Sequence, residues 1–145
     1  MVIELIKPEE IEKFIELRQI FAQEYGAKAK VLDEQESKQL RDNRSFIAIG
    51  ATVGFELVGG LAAHIVTNYY QGGNDLFIYD IVIKPTHQKM GIGNELIKFT
   101  KRFCIDHHIK EMYVAVDEKD ENGLNYHRKS EGTERASRFF VYNFE

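Results

Sequence analysis

The sequence predicts an α/β fold in which helices flank both faces of a mixed, mostly antiparallel central sheet. Strand-like and helix-like hydrophobic patterns alternate along the chain in the order β-α-α-β-β-β-α-β-α-β. The run "LFIYDIVI", residues 76–83, is almost continuously apolar, as is typical of a strand that is buried on both faces. The chain has 145 residues, 43% of them apolar, and no internal repeat or linker. We therefore expect one domain that spans residues 1–145.

The first part of the chain predicts one strand and two helices. Residues 2–6 are an expected strand, and Pro8 after them suits the first position of a helix. Apolar side chains recur at three- and four-residue intervals over residues 9–25, which predicts a helix that ends at Gly26. Residues 33–41 are charged and have few apolar anchors, so they predict a short, mostly exposed second helix.

The rest of the chain predicts strands separated by further helices. Residues 46–70 contain two β-type runs around a glycine-containing turn and predict a hairpin, which the strand at residues 76–83 follows. One apolar stripe predicts a helix over residues 93–107. The remaining segments are a strand, "MYVAV", a short helix or turn, "DENGLNYHRKS", and a closing strand, "RASRFFVYNF".

Composition argues against several classes of function. A net charge of −4 argues against binding to the phosphate backbone of nucleic acids and slightly favours a cationic partner. An apolar stretch of about 18 residues, which a membrane span needs, is missing, and the early acids argue against a signal peptide. We therefore expect a cytoplasmic protein. Cys104 is the only cysteine and is expected in the core, and the histidines lack metal-ligand spacing, so no metal is predicted.

The segment "HQKMGIGNELI", residues 87–97, places two glycines where a helix should begin. Each glycine destabilises a helix by about 1 kcal/mol relative to alanine. Two glycines at a helix start therefore suggest that the backbone without side chains has a function there. The first N–H groups of a helix bind anions, and glycine lets a phosphate approach the backbone closely. The pattern lacks the lysine of a Walker P-loop, and Leu96 replaces the third glycine of a dinucleotide fingerprint. An ordinary loop before a helix is the alternative.

The run "IVIKPTHQKMGIGNELI" resembles the acetyl-coenzyme A motif of the GNAT superfamily of N-acetyltransferases, in which [QR]-x-x-G-x-[GA] opens a helix after a strand. Gln88, Gly91 and Gly93 match that motif. The resemblance implies that the loop binds the pyrophosphate of acetyl-coenzyme A through Gln88, Lys89, Met90, Gly91, Ile92, Gly93 and Asn94. It also implies a bulge in the preceding strand that frees the backbone N–H groups of Ile81, Val82 and Ile83 for pantetheine, with Val82 as the oxyanion donor.

Four further segments are similar to the type I aminoglycoside 3-N-acetyltransferases: "FAQEYG", "FIAIGATVGFELVGGLAAHIV", "IYD" and "YVAVD". The similarity implies a small polycationic amine as substrate, an aminoglycoside acetylated at its 3-amino group, and a role in antibiotic resistance. Alternative acceptors are a polyamine, a lysine or a protein N-terminus. A non-catalytic, coenzyme A-binding regulatory domain is the alternative outside enzymes.

Acetyl transfer to an amine needs a base for the amine and a proton for the departing thiolate. Asp80 and Asp117 are the candidate bases, with Asp80 standing in an otherwise apolar run. A structural Asp80 would need a nearby arginine or several backbone donors. Tyr126 matches the general acid of many GNAT enzymes, or is a packing tyrosine. Gly132 lies six residues after it, whereas the family pattern has a glycine about four residues after the tyrosine.

Three further expectations concern binding. Asn122 either caps its helix or binds the pantetheine arm. The acidic runs at residues 33–37 and 117–121 either attract a polycation or form solvated surface. The aromatic final strand either closes the core or lies at the interface of a homodimer, a form in which GNAT proteins often occur.

Overall fold

The computed structural model describes all residues, Met1–Glu145. The chain forms two compact units, Met1–Ala115 and Val116–Glu145. The first unit contains nine elements and the second contains one helix, α4. In chain order these are β1 (Val2–Leu5), α1 (Ile11–Glu24), α2 (Glu34–Asp42), β2 (Phe46–Val53), β3 (Glu56–Thr67), β4 (Asn74–Ile83), a 3-10 turn (Pro85–His87), α3 (Ile92–Asp106), β5 (Met112–Val114) and α4 (Glu121–Lys129).

The five strands form one sheet in the order β1-β2-β3-β4-β5. The pairs β1–β2, β2–β3 and β3–β4 are antiparallel, whereas β4 and β5 are parallel. A parallel pair needs a crossover connection, and α3 lies between these two strands in the chain. The predicted mixed, mostly antiparallel α/β fold is confirmed.

Helix α1 covers one face of the sheet. Its buried residues Leu17 and Ile20 pack in one cluster with sheet residues that include Ala48, Leu57 and Val82. Side chains alternate between faces along a strand, so residues between these positions, such as the fully buried Ile49, point to the other face. Helix α3 buries a stripe of six residues, Ile92, Leu96, Ile97, Thr100, Phe103 and Cys104. The predicted core position of Cys104 is confirmed.

Gly60 on β3 lies directly beneath α1. A Cβ atom there would lie 2.6 Å from Leu17 Cδ1 and would also clash with the carbonyl oxygen of Ile49. Leu17 is fully buried and the carbonyl belongs to the neighbouring strand, so neither can move aside easily. The absence of a side chain therefore allows α1 to pack closely on the sheet.

We expect Gly60→Ala to lower the free energy of unfolding by about 1–3 kcal/mol, the usual cost of overpacking a core. Urea unfolding followed by circular dichroism measures this change. An unchanged midpoint would contradict the close approach of α1 to the sheet.

The predicted closing strand at residues 135–144 is wrong. The chain contains no strand after Val114, and residues 131–145 are exposed throughout. The residues "FFVYNF" have high β-propensity, but a strand exists only where a second strand pairs with it. The strand predicted at residues 112–116 is also shorter, Met112–Val114.

None of the helices combines the length and the apolar composition that a membrane span needs.

Candidate active site

Strand β4 contains a bulge at Tyr79. Ala62 on β3 lies opposite Asp80 and Ala63 lies opposite Ile78, so Tyr79 is an extra residue on β4. Strand β5 pairs with β4 only along residues 76–78. Beyond the bulge, residues 79–83 therefore have a partner strand on the β3 side only.

The register determines which backbone groups of β4 face this open side. The Lys84 amide donates to the carbonyl of Val58 on the β3 side at 2.8 Å. Backbone groups alternate in direction along a strand, so Val82, two residues earlier and opposite Gly60, also points to β3. Ile81 and Ile83 direct their backbone groups to the open side.

The glycine segment forms a tight loop between β4 and α3. Lys89 and Gly91 both have left-handed backbone conformations, with φ of 62° and 83°. The Gln88 side chain donates from Nε2 to the carbonyl oxygen of Ile83 at 2.9 Å, which ties the loop to the end of β4. The loop is thus held by contacts within the first unit.

Helix α3 begins at Ile92, and its N-cap residue is Gly91, which offers no capping side chain. Serine, threonine, aspartate and asparagine are the preferred N-cap residues, because their side chains accept hydrogen bonds from the first N–H groups of a helix. The start of a helix also carries about half a positive charge from the aligned peptide dipoles. The first N–H groups of α3 therefore have no capping side chain, an arrangement that is suited to binding an anion.

Asp80 accepts a hydrogen bond from the hydroxyl of Tyr25. Tyr25 is the residue just after α1, so the C-terminal end of this helix reaches β4. Asp80 forms no salt bridge, although an acid with a purely structural role was expected to need an arginine or several backbone donors. Its one partner is a phenol on a residue that is 63% exposed. The carboxylate is half-buried beside the bulge.

A row of aromatic rings lies on the same face of the sheet as Asp80. Each ring contacts the next one along the row, which crosses four strands. The ring centroids are 5.3 Å apart for Phe46 and His64 and 6.2 Å apart for His64 and Tyr79. They are 6.0 Å apart for Tyr79 and Phe77 and 5.4 Å apart for Phe77 and Tyr113. Tyr79 is 65% exposed, so the row presents ring surface to solvent.

Sequence analysis did not identify Tyr25, His64 or Tyr79 as site residues. Each lies in a segment that is similar to the aminoglycoside 3-N-acetyltransferases: Tyr25 in "FAQEYG", His64 in "FIAIGATVGFELVGGLAAHIV" and Tyr79 in "IYD". His64 and Tyr79 reach the site only because of the strand register and the bulge.

The second unit holds the other three predicted site residues. Asp117 accepts a hydrogen bond from the backbone N–H of Lys119 at 2.8 Å, which gives it a role in a turn. Asn122 was expected to cap α4 or to bind pantetheine. The cap is instead Asp120, which accepts from the Gly123 N–H at 3.0 Å, so the capping alternative for Asn122 is wrong.

Tyr126 is half-buried on α4, and its ring lies 4.9 Å from that of His127, centroid to centroid. Burial raises the pKa of the Tyr126 phenol above its usual value, so the phenol stays protonated at neutral pH. Burial also lowers the pKa of His127, which the charge of Asp120 partly offsets.

The lowered pKa of His127 predicts a dependence of stability on pH. Just below the ordinary histidine pKa of about 6.5, His127 is protonated in the unfolded chain but still neutral in the folded chain. Stability should therefore fall as pH drops from this value towards the folded-state pKa, with no contribution from His127 above it. Thermal unfolding of His127→Gln and the unaltered chain at a series of pH values measures the difference. A stability loss of the same size in both would contradict the prediction.

The described residues contain no group of three or more His, Cys, Asp or Glu side chains arranged to hold a metal ion.

Comparison with known proteins identifies the family. The profile of the acetyltransferase (GNAT) family matches residues 12–132. The crystal structure of the aminoglycoside acetyltransferase meta-AAC0020, from an uncultured soil metagenomic sample and in complex with sisomicin, superimposes with a TM-score of 0.94 at 26% identity, over 99% of this chain and 96% of that one. The same enzyme in complex with trehalose gives the same values.

Two further crystal structures share the fold. The aminoglycoside acetyltransferase HMB0005, from an uncultured soil metagenomic sample, has a TM-score of 0.90 at 21% identity over 99% of this chain and 98% of that one. A ribosomal-protein-alanine N-acetyltransferase from Brucella melitensis biovar Abortus 2308 has a TM-score of 0.78 at 19% identity, over 99% and 100%. No curated protein matches the chain significantly. The chain is an acetyltransferase that belongs to the acetyltransferase (GNAT) family.

Proposed function

We propose that this protein transfers the acetyl group of acetyl-coenzyme A to the 3-amino group of an aminoglycoside. The observation that carries the proposal is the half-buried Asp80 carboxylate, which lies beside the bulge of β4 and next to an exposed row of aromatic rings. The likeness to meta-AAC0020, an aminoglycoside acetyltransferase at 26% identity, supports the acceptor class. Because acetyl-coenzyme A is a metabolite of the cell interior, we also propose a cytoplasmic location. Because the proposed acceptor is an aminoglycoside, we also propose a role in antibiotic resistance.

The coenzyme lies along β4 and the glycine loop in this proposal. The loop residues 88–94 and the N-terminus of α3 bind the diphosphate. The backbone N–H groups of Ile81 and Ile83 face the open side of β4 and bind pantetheine and the thioester oxygen in this proposal. The strand register directs the backbone N–H of Val82 to β3 and away from the open side. The backbone N–H of Ile81 therefore replaces it as the proposed oxyanion donor.

The acceptor lies on the aromatic face of the sheet. Apolar faces of sugar rings pack against exposed rings such as Tyr79, while the ammonium groups of the acceptor are attracted to carboxylates. Asp80 takes a proton from the reacting ammonium, and the freed nitrogen attacks the thioester carbon. The Tyr25 hydroxyl holds the Asp80 carboxylate in position. Asp117 is bonded within its own turn, so we assign the base to Asp80 alone.

Collapse of the intermediate breaks the carbon–sulfur bond, and the departing thiolate takes a proton from Tyr126. The nitrogen of the new amide loses its second proton to water, and the Tyr126 phenolate regains a proton from water. The Tyr126 phenol carries its proton at neutral pH, but burial raises its pKa and so makes it a weaker proton donor. Asn122 lies exposed in the first turn of α4 and remains a proposed contact for pantetheine.

Tyr126→Phe should lower kcat by about tenfold. The effect is small for an acid catalyst because a thiolate, with an ordinary pKa of about 8.5, leaves without much help. Steady-state kinetics measures it, with Tyr69→Phe in the β3–β4 loop, where the side chain is 94% exposed, as the control. An unchanged kcat would remove Tyr126 from the mechanism.

Release of coenzyme A thiol tests the function against a panel of acceptors. The purified chain is incubated with acetyl-coenzyme A and, in turn, with aminoglycosides such as sisomicin, with polyamines, and with peptides that offer a lysine or a free N-terminus. We expect turnover on aminoglycosides at least 10-fold above the other classes. Turnover only on a polyamine or peptide would assign a different acceptor. Coenzyme binding without turnover on any acceptor would indicate the non-catalytic alternative.

A further inference from the structure

The first unit contains an open apolar groove of about 810 Å³. Residues of β1, α1, the α1–α2 loop, α2 and β2 line it, and 15 of the 25 lining residues are apolar. Val31 and Ile15 in this lining are 89% and 44% exposed, and α2 has no buried residue although Leu40 on this helix faces the groove. The groove is thus an apolar surface without a partner in the isolated chain.

The groove has the size and the composition of a small-molecule site. Such sites are concave and mostly apolar, with volumes of about 300–1,000 Å³ and a few polar groups that fix the ligand. Asp80, Tyr25 and Tyr79 do not line the groove, and Phe46 is the one ring of the aromatic row that does. The groove is therefore a second concave surface beside the proposed acceptor site.

The charge of the groove determines which molecules it suits. The lining contains no acidic residue and six basic ones: Lys7, Arg18, Lys28, Lys30, Arg41 and Arg44. Only Lys30 among them forms a salt bridge, and its partner is Glu36. A polycation such as the proposed acceptor is repelled by this border, whereas an anion is attracted to it.

Arg18 on α1 is the basic residue that stands out in the lining. It is half-buried, and its guanidinium group forms no hydrogen bond and no salt bridge within the chain. A charged group that is taken out of water without a partner is unfavourable. The guanidinium group has five N–H donors, and its planar fork matches the two oxygens of a carboxylate. Arg18 is therefore a free anchor for an anionic group in an apolar groove.

The acids beside the groove do not supply that group. Glu36 on α2 accepts hydrogen bonds from Lys30 through one oxygen and from the backbone N–H of Asp33 through the other, at 2.5 and 3.0 Å. The hydrogen bond from Lys30 lowers the pKa of Glu36 most, with a smaller contribution from the charge of Arg18. Three exposed acids that are next to lining residues in the sequence stay outside the lining: Glu12, Glu16 and Asp42.

We propose that a fatty acid binds in this groove, with its carboxylate against Arg18 and its hydrocarbon chain along the apolar lining. The one half-buried cation matches a single anionic head group, and the apolar residues that make up most of the lining match a hydrocarbon chain. This inference concerns a second site and goes beyond the proposed acetyl transfer. Its test needs no acetyl-coenzyme A, so its outcome is independent of the catalytic proposal.

A displacement titration tests the choice of ligand. The full chain is loaded with cis-parinaric acid, a fatty acid whose fluorescence rises in apolar surroundings, and is then titrated with decanoate, decanol or decylamine. These three compounds have the same chain length but an anionic, a neutral and a cationic head group. A hydrogen bond to a charged group contributes about tenfold or more to an equilibrium constant. We therefore expect decanoate to bind at least about tenfold more tightly than either of the others.

Arg18→Met removes the charge and keeps an unbranched apolar side chain. It should weaken decanoate binding by at least about tenfold and leave decanol binding unchanged, which also shows that the groove remains folded. Arg18→Lys keeps the charge but not the planar fork, so it should weaken decanoate binding by less. The matched control is Arg102→Met on α3, because Arg102 pairs with Asp106 and does not line the groove. It should change neither affinity.

A second pair of variants tests the location of the site. Ile15→Glu places a carboxylate in the groove and should weaken the binding of both decanoate and decanol by at least about tenfold. Ile105→Glu on α3, which is 69% exposed and outside the lining, should weaken neither. Circular dichroism checks that all the variants fold.

Four results would overturn the proposal. The first is that decanoate does not displace cis-parinaric acid in a saturable way, and the second is that decanoate and decanol bind equally well to the unaltered chain. The third is that Arg18→Met binds decanoate with unaltered affinity. The fourth is that sisomicin displaces the fatty acid, because the groove would then belong to the acceptor site. Association with phosphatidylglycerol vesicles without decanoate binding gives the first result and would indicate a membrane surface as the partner.

Discussion

Asp80→Asn is expected to lower kcat by about 10²–10⁴-fold, the usual contribution of a general base. Asparagine keeps the shape of the side chain and an oxygen that can accept the Tyr25 hydrogen bond, so the site should remain assembled. What is lost is the ability to take a proton from the acceptor ammonium. The loss should shrink at high pH, where part of the acceptor amine is already unprotonated.

The measurement is a pH profile of kcat and kcat/KM for Asp80→Asn beside the unaltered enzyme. Tyr25→Phe is the matched variant, because it removes the hydroxyl that holds Asp80 but leaves the carboxylate. It should lower kcat by less and keep the shape of the pH profile. An Asp80→Asn enzyme with unaltered kcat and an unaltered profile would show that Asp80 is not the base.

Gly91→Asp is expected to weaken coenzyme A binding by about 10²-fold. A Cβ at Gly91 would meet no atom within 4 Å, so the new side chain has room. Its charge would stand beside the proposed diphosphate site, where two like charges at about 4 Å cost up to about 4 kcal/mol at an effective dielectric constant of 20. Salt and side-chain movement reduce this penalty.

Gly91→Asn is the matched control for shape and backbone. Asparagine tolerates the left-handed conformation that Gly91 adopts, with φ of 83°, and is nearly isosteric with aspartate but neutral. Isothermal titration calorimetry with coenzyme A compares the two variants. Equal affinities would show that no anion lies near the loop, and the coenzyme would then have to bind elsewhere.

The sequence predicted most of the fold because local patterns determine most of it. Helices α1 and α3 follow from apolar stripes of helical period, and β4 follows from a continuous apolar run. The closing strand was predicted by the same reasoning and is absent. A strand needs a paired edge as well as β-forming residues, and the sequence of residues 135–144 does not specify such an edge.

Sequence analysis named candidate residues only where a local pattern marks them, such as the glycine loop and the acid Asp80 in an apolar run. The glycine loop is contiguous, so its motif was visible in the sequence. The contact between Tyr25 and Asp80 joins residues 55 positions apart, and no local pattern encodes it. The direction of the Val82 backbone depends on the register between β3 and β4, which the bulge at Tyr79 shifts.

Analysis of the product from acetyl-coenzyme A and sisomicin tests the central claim most directly. The unaltered chain is incubated with both compounds, and the product is examined by mass spectrometry and NMR. We predict one added acetyl group, on the nitrogen of the 3-amino group. Acetylation of another amine would contradict the proposed position, and a chain that binds the coenzyme but acetylates no aminoglycoside would contradict the proposed function.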